Sequence, residues 1–330
     1  MTGPDPAVAA TRSAVRAALT GVPPGAGVLV ACSGGADSLA LAAAAAFEAR
    51  REAWRIASVT VDHAWHPDSA EIAARAAAQC AALGLEPASV VPLVTSGAGG
   101  GPEAQAREGR YAAIDRVANE AGAAVILLGH TMDDQAETVL LGLLRGSGAR
   151  SLAGMPATRG RYRRPFLSLP RHATVRACAA LDLTPWADPA NDDPAFARVR
   201  ARTVLAQLAE GLGGSVAEAL ARTADQLRDD ADLLESLAGE LLDRARTRSD
   251  DREVVLDAEL LAGAPKALRT RALLFAVREA ALVPAAVGSR HVDAVDALVS
   301  AWKGQGPAAL PGRVSARRIG ARIVIGRAPR

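Results

Sequence analysis

The fold is decided by the stretch VLVACSGGADS, which occupies residues 28–38. Its apolar start, residues 28–31, predicts a buried strand, and the residues that follow the stretch have a helical pattern. Gly34 and Gly35 allow a tight turn between strand and helix, and they leave backbone amides free at the helix N-terminus, where an anion binds well. The residues expected to cradle phosphate groups are Ser33, Gly34, Gly35, Ala36 and Ser38.

Asp37 is the unusual residue of this loop, because a carboxylate beside a phosphate is repulsive. A bound Mg²⁺ that bridges the carboxylate and the phosphates removes the repulsion, so we expect Asp37 to hold Mg²⁺. The alternative needs no ligand: a tight turn between strand and helix in which Ser38 is the helix N-cap.

Two common nucleotide-binding motifs do not fit the loop. A Walker A motif requires a lysine, and the chain contains only Lys266 and Lys303, both far along the sequence. The glycine spacing of dinucleotide-binding folds, GxGxxG, is also missing.

Three further apolar stretches, at residues 56–61, 89–93 and 124–128, predict strands as well. Alanine-rich helical segments separate them. This alternation predicts an α/β fold, with a Rossmann-like parallel sheet and helices on both faces. Ligands of such sheets gather at the carboxyl ends of the strands, which is where the loop lies.

The length of 330 residues favours two domains. We predict a catalytic domain over residues 1–205, whose residues 146–205 form a connector, and a smaller, mainly helical domain over residues 206–330. Helical periodicity and strand-like alternation mark the elements within these parts. The predicted helices are 172–181, 215–246, 265–281 and 288–302, and the predicted C-terminal hairpin is 312–327.

Composition argues against membrane, secreted and metal-cluster proteins. The longest apolar run, residues 39–47, is far shorter than the ~20 residues that span a bilayer. The N-terminus has no secretion signal, and Cys32, Cys80 and Cys178 lie too far apart for a CxxC motif. A cytoplasmic protein is expected.

Positive charge is concentrated in two stretches, although the net charge is only +2. Eight arginines and no acidic residue lie between Glu137 and Asp182, and residues 303–330 contain basic but no acidic residues. We expect these stretches to bind the phosphates of a nucleic acid. Arginines scattered over solvated faces are the alternative.

A second motif, HTMDDQAET at residues 130–138, follows the fourth strand and opens a helix. Its Asp134 and Glu137 lie three residues apart on one helix face, near the helix start. Carboxylates also cap helices at this end, which is the alternative interpretation. His63 and His130 each follow a strand and are candidate contacts to a nucleotide or RNA phosphate, with a structural histidine as the alternative.

SGGADS resembles the PP-loop of the N-type ATP pyrophosphatases, and several other motifs resemble the tRNA(Ile)-lysidine synthetase branch of that superfamily. The resemblance covers about residues 25–205. Its motifs are the string from His130 through Gly148, Gly154-Met155, Arg164-Pro165, Val61-Asp62-His63, Arg107 with Arg110-Tyr111, and Asp188 through Asp193. Departures from the family pattern are Ala64-Trp65-His66, Ser151 and Val199.

The resemblance implies a reaction in two steps. ATP activates the C2 carbonyl of the wobble cytidine in an isoleucine tRNA with a CAU anticodon, releasing pyrophosphate. Free lysine then displaces AMP to give lysidine. The substrates implied are therefore ATP, L-lysine and tRNA(Ile), with Mg²⁺ as cofactor, and the oligomeric state stays open, a homodimer being one option.

The same resemblance implies roles for individual residues. The loop residues, with His63 and His130, contact ATP, and Asp37 holds Mg²⁺. Arg110 and Arg202 are directed at a phosphate or at the activated cytidine, with a surface ion pair as the alternative. Asp134 and Glu137 bind the ammonium group of lysine, and the sequence does not decide which of the two takes its proton.

Three other functions stay open. A tRNA thiolase of the same superfamily usually needs paired cysteines or an iron–sulfur cluster, and an amidating synthetase lacks the arginine-rich segments and the RGSG sequence at residues 145–148. A nucleotide-regulated RNA-binding protein without chemistry is the third. Turnover of ATP to AMP and pyrophosphate that depends on tRNA would exclude it.

Overall fold

The computed structural model of the protein describes residues 3–64, 67–94, 102–249, 253–281 and 287–327. The chain divides into two compact units, Met1–Gln226 and Leu227–Arg330. The domain boundary expected at residues 205/206 falls inside a helix of the first unit. In the part of the chain that the structure describes, no helix is both long and apolar enough to cross a membrane.

The first unit is built on a six-stranded sheet with the order β3-β2-β1-β4-β6-β5. Neighbouring strands are parallel from β3 through β6, and β5 alone is antiparallel to its neighbour. The strands are β1 (Gly27–Ala31), β2 (Arg55–Asp62), β3 (Ala88–Pro92), β4 (Ala123–Leu128), β5 (Thr158–Arg159) and β6 (Tyr162–Arg163). The helices are α1 (Pro6–Ala18), α2 (Ala36–Glu52), α3 (Ser69–Ala82), α4 (Pro102–Glu120), α5 (Met132–Leu144), α6 (Ala149–Leu152), α7 (Arg171–Ala180) and α8 (Ala197–Leu212), with short 3-10 turns at Pro165–Ser168 and Pro189–Asn191.

Side chains alternate between the two faces of this sheet, because the side-chain period of a strand is two. Val28 and Val30 of β1 pack into the core beneath α1 and α2. Leu29, between them, packs on the opposite face with Ile114 of α4. Both faces are therefore buried, which explains why the strands are almost continuously apolar.

The second unit contains a five-stranded antiparallel sheet with the order β7-β8-β11-β10-β9. The long helix α9 (Val216–Ala245) leads into it. The strands are β7 (Arg246–Ser249), β8 (Glu253–Asp257), β9 (Ala308–Leu310), β10 (Val314–Ile319) and β11 (Arg322–Arg327), and the remaining helices are α10 (Ala258–Ala262), α11 (Lys266–Ala280) and α12 (Ser289–Ser300). Apolar residues of these helices and strands form one buried core.

The predicted fold class is confirmed. Each of the four predicted strands agrees with β1–β4 to within one residue at either end, and the predicted hairpin is β10 and β11. The sequence did not predict that this hairpin belongs to a five-stranded sheet, because β7 and β9 are short and β8 has only a brief apolar run.

The second unit supplies a stability prediction through its buried ion pair. Arg269 Nε donates to Asp296 Oδ1 at 2.6 Å, and both residues are under 10% exposed. Asp296→Ala leaves the guanidinium buried without its partner, so we expect a loss of about 3–5 kcal/mol in the free energy of unfolding, measured by urea denaturation. Asp293→Ala, an exposed position on the same helix, is the matched control, and an equal effect of both changes would contradict the argument.

Candidate active site

The predicted site residues come together at the carboxyl ends of the central strands. Residues 33–38, the phosphate loop, follow β1, and residues 130–138 follow β4. These strands are neighbours in the sheet, so both segments end at one edge. The carboxylate of Asp37 thereby lies close to those of Asp134 and Glu137, although it is about one hundred residues away in the chain. All three face one guanidinium group, that of Arg171.

The phosphate loop is closed by its own hydroxyl groups. Ser38 Oγ accepts from the Ser33 amide at 3.1 Å and donates to the Gly35 carbonyl at 3.0 Å. Ser38 is buried and its one hydroxyl proton is committed to the loop, whereas Ser33 is exposed. Ser38 thus holds the loop together, and the Ser33 hydroxyl, 3.3 Å from Ser38 Oγ, is exposed.

Glycine is required at two positions around the loop. Gly34 has φ of +86°, the left-handed region, and a Cβ there would lie 3.1 Å from Ala76 Cβ. Gly129, directly after β4, is so close to the loop that a Cβ would lie 3.1 Å from the backbone of Asp37. α2 begins at Ala36, and among the described residues no side chain caps its N-terminus at Gly35. The first amides of this helix are therefore available to an anion.

A second segment, residues 184–186, holds the phosphate loop through hydrogen bonds. The Trp186 amide donates to the Gly34 carbonyl at 2.9 Å. Gln79 of α3 holds the same segment, since its side-chain amide donates to the Thr184 carbonyl and accepts from the Thr184 amide, both at 3.1 Å. The connector after α7 is thus fixed to the phosphate loop.

Asp134 has two structural partners. Its Oδ2 accepts from the backbone amide of Thr131 at 2.8 Å and from the Thr131 hydroxyl at 3.0 Å, which caps α5. Its Oδ1 accepts from Arg171 Nη2 at 2.9 Å. Capping, the alternative weighed for this residue, is therefore part of its role, and both of its oxygens are engaged.

Glu137 is almost fully buried, with 1% of its side chain exposed. Its Oε1 accepts from Arg202 Nε at 3.0 Å and faces Arg171 Nη1 at 3.5 Å. Its Oε2 makes no hydrogen bond within the described residues, and the nearest cation is Arg198 Nη1 at 4.0 Å. Glu137 therefore retains acceptor capacity that Asp134 lacks.

The acidity of the three carboxyl groups differs accordingly. Burial raises the pKa of Asp37, and burial together with Asp134 raises the pKa of Glu137. Burial acts on Asp134 too, but the charge of Arg171 and the bonds from Thr131 outweigh it and lower its pKa. Asp37 and Glu137 are thus the groups that an additional cation would stabilise most.

Helix α7 is joined to the site through its first turn. The Arg171 amide donates to Asp133 Oδ2 at 2.7 Å, and the Met132 amide donates to the Leu169 carbonyl at 2.9 Å. Thr174, one turn later, donates its hydroxyl to Asp37 Oδ1. Arg171, Thr174 and Arg198 were missed by the sequence analysis, because they lie far from Asp37 in the chain and belong to no phosphate-binding motif.

The two histidines lie near arginine side chains. Burial and the charge of Arg110 lower the pKa of His63 to about 4, against the opposing charges of Asp62 and Asp188. Burial also lowers the pKa of His130 to about 4, with contributions from Arg164 and Arg198. Arg110 is itself exposed in part and lies near Arg107 and Arg198. His66 lies outside the described residues.

The basic stretches are only partly free for a ligand. Between Glu137 and Asp182, several arginines bind groups of the protein itself: Arg161, Arg163, Arg164, Arg171 and Arg176. Arg145 and Arg159 are exposed. Near the C-terminus, Arg317 pairs with Glu253, and Arg318 lies over the Trp302 ring at 5.7 Å, while Lys303, Arg313, Arg322 and Arg327 are exposed.

Two family models match this chain. The first, described as a PP-loop domain, matches residues 11–209. The second, described as a TilS substrate binding domain, matches residues 256–323. The first match contains the phosphate loop, the three carboxylates and Arg171. The second covers α10–α12, β9 and β10, together with the last residues of β8 and the first residues of β11.

Curated relatives match over nearly the whole chain. A tRNA(Ile)-lysidine synthase of Thermobifida fusca is 50% identical, covering 98% of this chain and 99% of the relative. Enzymes of the same name from Leifsonia xyli and Streptomyces coelicolor are 54% and 47% identical, with 88% and 98% of this chain covered, and 86% and 99% of the relatives.

A solved structure shares the fold of the chain at low identity. It is a U34-tRNA thiolase, NcsA from Methanococcus maripaludis with its 4Fe-4S cluster, with a TM-score of 0.57 and 17% identity. The match covers 67% of this chain and 78% of the thiolase. It supports the architecture described above and nothing about the chemistry.

The lowered pKa of the half-buried His130 leads to a prediction about pH. Its folded-state pKa of about 4 lies below the ordinary 6.5, so between these values the unfolded chain binds a proton that the folded chain does not. The free energy of unfolding should therefore fall as pH falls from 6.5 to 4, by up to roughly 1 kcal/mol per pH unit, and be unaffected above that window.

His130→Gln should remove this contribution, as measured from urea unfolding curves at pH 7.5, 6.5, 5.5 and 4.5. The exposed His172→Gln on α7 is the matched control. An identical pH slope in His130→Gln and in the unchanged protein would contradict the burial of a neutral imidazole.

Proposed function

The chain belongs to the tRNA(Ile)-lysidine synthase family, and from this premise we propose that it converts the wobble cytidine of a CAU-anticodon tRNA(Ile) to lysidine. The cytidine C2 oxygen attacks the α-phosphorus of ATP, and the bond to pyrophosphate breaks. The side-chain amine of free lysine then attacks C2, AMP leaves, and a carbon–nitrogen bond has formed. The observation that carries the proposal is the junction of a phosphate loop with two further carboxylates, Asp134 and Glu137.

The phosphate loop is proposed to bind the two phosphates that leave as pyrophosphate. The uncapped start of α2 directs amides at them, and Ser33 adds an exposed hydroxyl. Ser38 holds the loop that receives the phosphates, through its bonds to the Ser33 amide and the Gly35 carbonyl. Charge that develops on the leaving pyrophosphate is stabilised where the donors already point.

The donor set around Asp37 fits Mg²⁺. Asp37 supplies a carboxylate whose pKa is raised by burial and whose contact to Arg171 is long, at 3.4 Å, so a further cation is favourable there. When bound, Mg²⁺ neutralises the phosphate charge that Asp37 would otherwise repel.

Glu137 is proposed as the residue that accepts the lysine ammonium and then its proton. The side-chain amine has an ordinary pKa of about 10.4 and must lose a proton before it attacks. Glu137 offers a buried oxygen, Oε2, without a hydrogen bond within the described residues. Its raised pKa also makes it a better proton acceptor than Asp134. Asp134 holds the helix start and contributes negative charge.

The arginines expected at the site have different surroundings. Arg202 is paired with Glu137, so its first task is to orient that carboxylate. Arg110 forms no ion pair with a carboxylate within the described residues, and it lies near His63 and Arg198. We propose Arg110 as the donor to a phosphate of ATP or of the target nucleotide. His63 and His130, neutral at pH 7, line the same region.

The reaction is placed in the cytoplasm, since ATP, free lysine and tRNA are all found there, and the chain acts alone or as a homodimer. A thiolase reaction is disfavoured, because the relatives that match nearly the whole chain are named lysidine synthases and the second family model is a TilS substrate binding domain. Incubation with labelled lysine, ATP and a CAU-anticodon tRNA(Ile) tests the proposal. Acid-stable label in the RNA is expected, and its complete absence with active tRNA and ATP would overturn the function.

Substitution of Glu137 is expected to affect the attack by lysine more than the adenylation of the cytidine. Glu137→Gln should raise the apparent KM for lysine about tenfold to a hundredfold, because a neutral amide neither attracts an ammonium nor accepts its proton. Single-turnover pyrophosphate release should persist. Glu120→Gln, an exposed position on α4, is the control. Loss of pyrophosphate release without a change in KM would assign Glu137 to the ATP site instead.

Asp37→Ala should show the reverse pattern. The carboxylate serves the metal–ATP side of the site, so tRNA-dependent pyrophosphate release is expected to disappear while tRNA affinity changes less than twofold. Filter binding of labelled tRNA and a pyrophosphate assay measure the two quantities. A matching loss of tRNA affinity would show that the loop serves RNA as well.

A further inference from the structure

The guanidinium group of Arg171 faces three carboxylates with three different nitrogens. Nη2 lies 2.9 Å from Asp134 Oδ1, Nε lies 3.4 Å from Asp37 Oδ2, and Nη1 lies 3.5 Å from Glu137 Oε1. A planar fork of this kind can address several acceptors at once, which a lysine ammonium does less well. One side chain therefore faces both the carboxylate of the phosphate loop and the two carboxylates of α5.

The three contacts are not equally strong. A charge-assisted hydrogen bond between nitrogen and carboxylate is usually about 2.7–2.9 Å long. The Asp134 contact has this length, whereas the contacts to Asp37 and Glu137 are longer by half an ångström or more. Arg171 is thus anchored on Asp134 and only loosely held by the other two carboxylates.

The loosely held carboxylates are the two for which an outside cation is proposed. Asp37 would hold Mg²⁺ beside ATP, and Glu137 would hold the ammonium of lysine. Three quarters of the Arg171 side chain is shielded from solvent, so its charge acts on both groups with little screening. Each of these cations must therefore replace part of the positive charge that Arg171 supplies to Asp37 or to Glu137.

We propose that Arg171 is the resident cation of the ligand-free site, which balances Asp37 and Glu137 and gives them up when Mg²⁺–ATP and lysine bind. This inference rests on the proposed function. With Mg²⁺ held at Asp37, the guanidinium group of Arg171 would be free to face the phosphates, and Glu137 would be free to accept the ammonium group. Binding of nucleotide and binding of lysine are then coupled through a single positioning residue.

Calorimetry on the whole protein measures this coupling. Lysine is titrated with and without Mg²⁺ and the α,β-methylene analogue of ATP, which cannot release pyrophosphate. The unchanged protein should bind lysine at least about fivefold more tightly with the nucleotide present. In Arg171→Gln the nucleotide should change the lysine affinity less than twofold, and lysine should bind the nucleotide-free variant more tightly than the nucleotide-free unchanged protein.

The matched control is Arg176→Gln, on the same helix, whose exposed side chain pairs with Asp5 and which should keep the full coupling. Arg171→Lys keeps one charge and so favours folding, but a point charge cannot face three carboxylates, and coupling should again be lost. Full coupling in either Arg171 variant, or weaker lysine binding by the nucleotide-free Arg171→Gln, would show that Arg171 only holds the structure together.

A second measurement needs no lysine. MgCl2 alone should raise the thermal midpoint of Arg171→Gln more than that of the unchanged protein, because the resident cation no longer competes for Asp37. Equal shifts would overturn the exchange. If the unchanged protein binds no lysine under any condition, the proposed function fails, while this comparison still decides whether Arg171 exchanges with a cation.

Discussion

Repulsion between three carboxylates is the constraint on which the arrangement of the site depends. Asp37 comes from the turn after β1, and Asp134 and Glu137 come from the first turns of the helix after β4, so the parallel sheet brings them together. Burial makes their charges costly unless cations stand close by. Helices α7 and α8 supply those cations as Arg171, Arg198 and Arg202, and docking of both helices is therefore part of building the site.

The strands and the phosphate loop could be predicted from the sequence, since each depends on a pattern of residues that are close together in the chain. Period-two burial on both sheet faces produces the apolar runs that located β1–β4, and a glycine turn before a helix located the phosphate loop. Adjacent strand ends then placed Asp37 near Asp134 and Glu137. Arg171 could not be found in this way, because its partners lie more than thirty residues away in sequence and its role depends on how α7 docks.

The contacts that distinguish similar residues of the site could be determined only from the structure. Ser38 and Ser33 look alike in the sequence, but only the structure shows that Ser38 closes the loop on itself while Ser33 is exposed. Asp134 and Glu137 are likewise equivalent as letters, and the Thr131 cap separates them. The fold leaves the chemistry open, as its likeness to a thiolase illustrates, so hydrogen-bond partners of this kind carry the functional argument.

Every cation that contacts these carboxylates in the described residues is a guanidinium group, and the two lysines of the chain, Lys266 and Lys303, both lie beyond residue 226. A guanidinium group stays protonated and is not a nucleophile at neutral pH. A lysine at position 171 would place an amine of the protein itself among the three carboxylates. The guanidinium groups thus balance the charge of these carboxylates without adding a nucleophilic amine beside them.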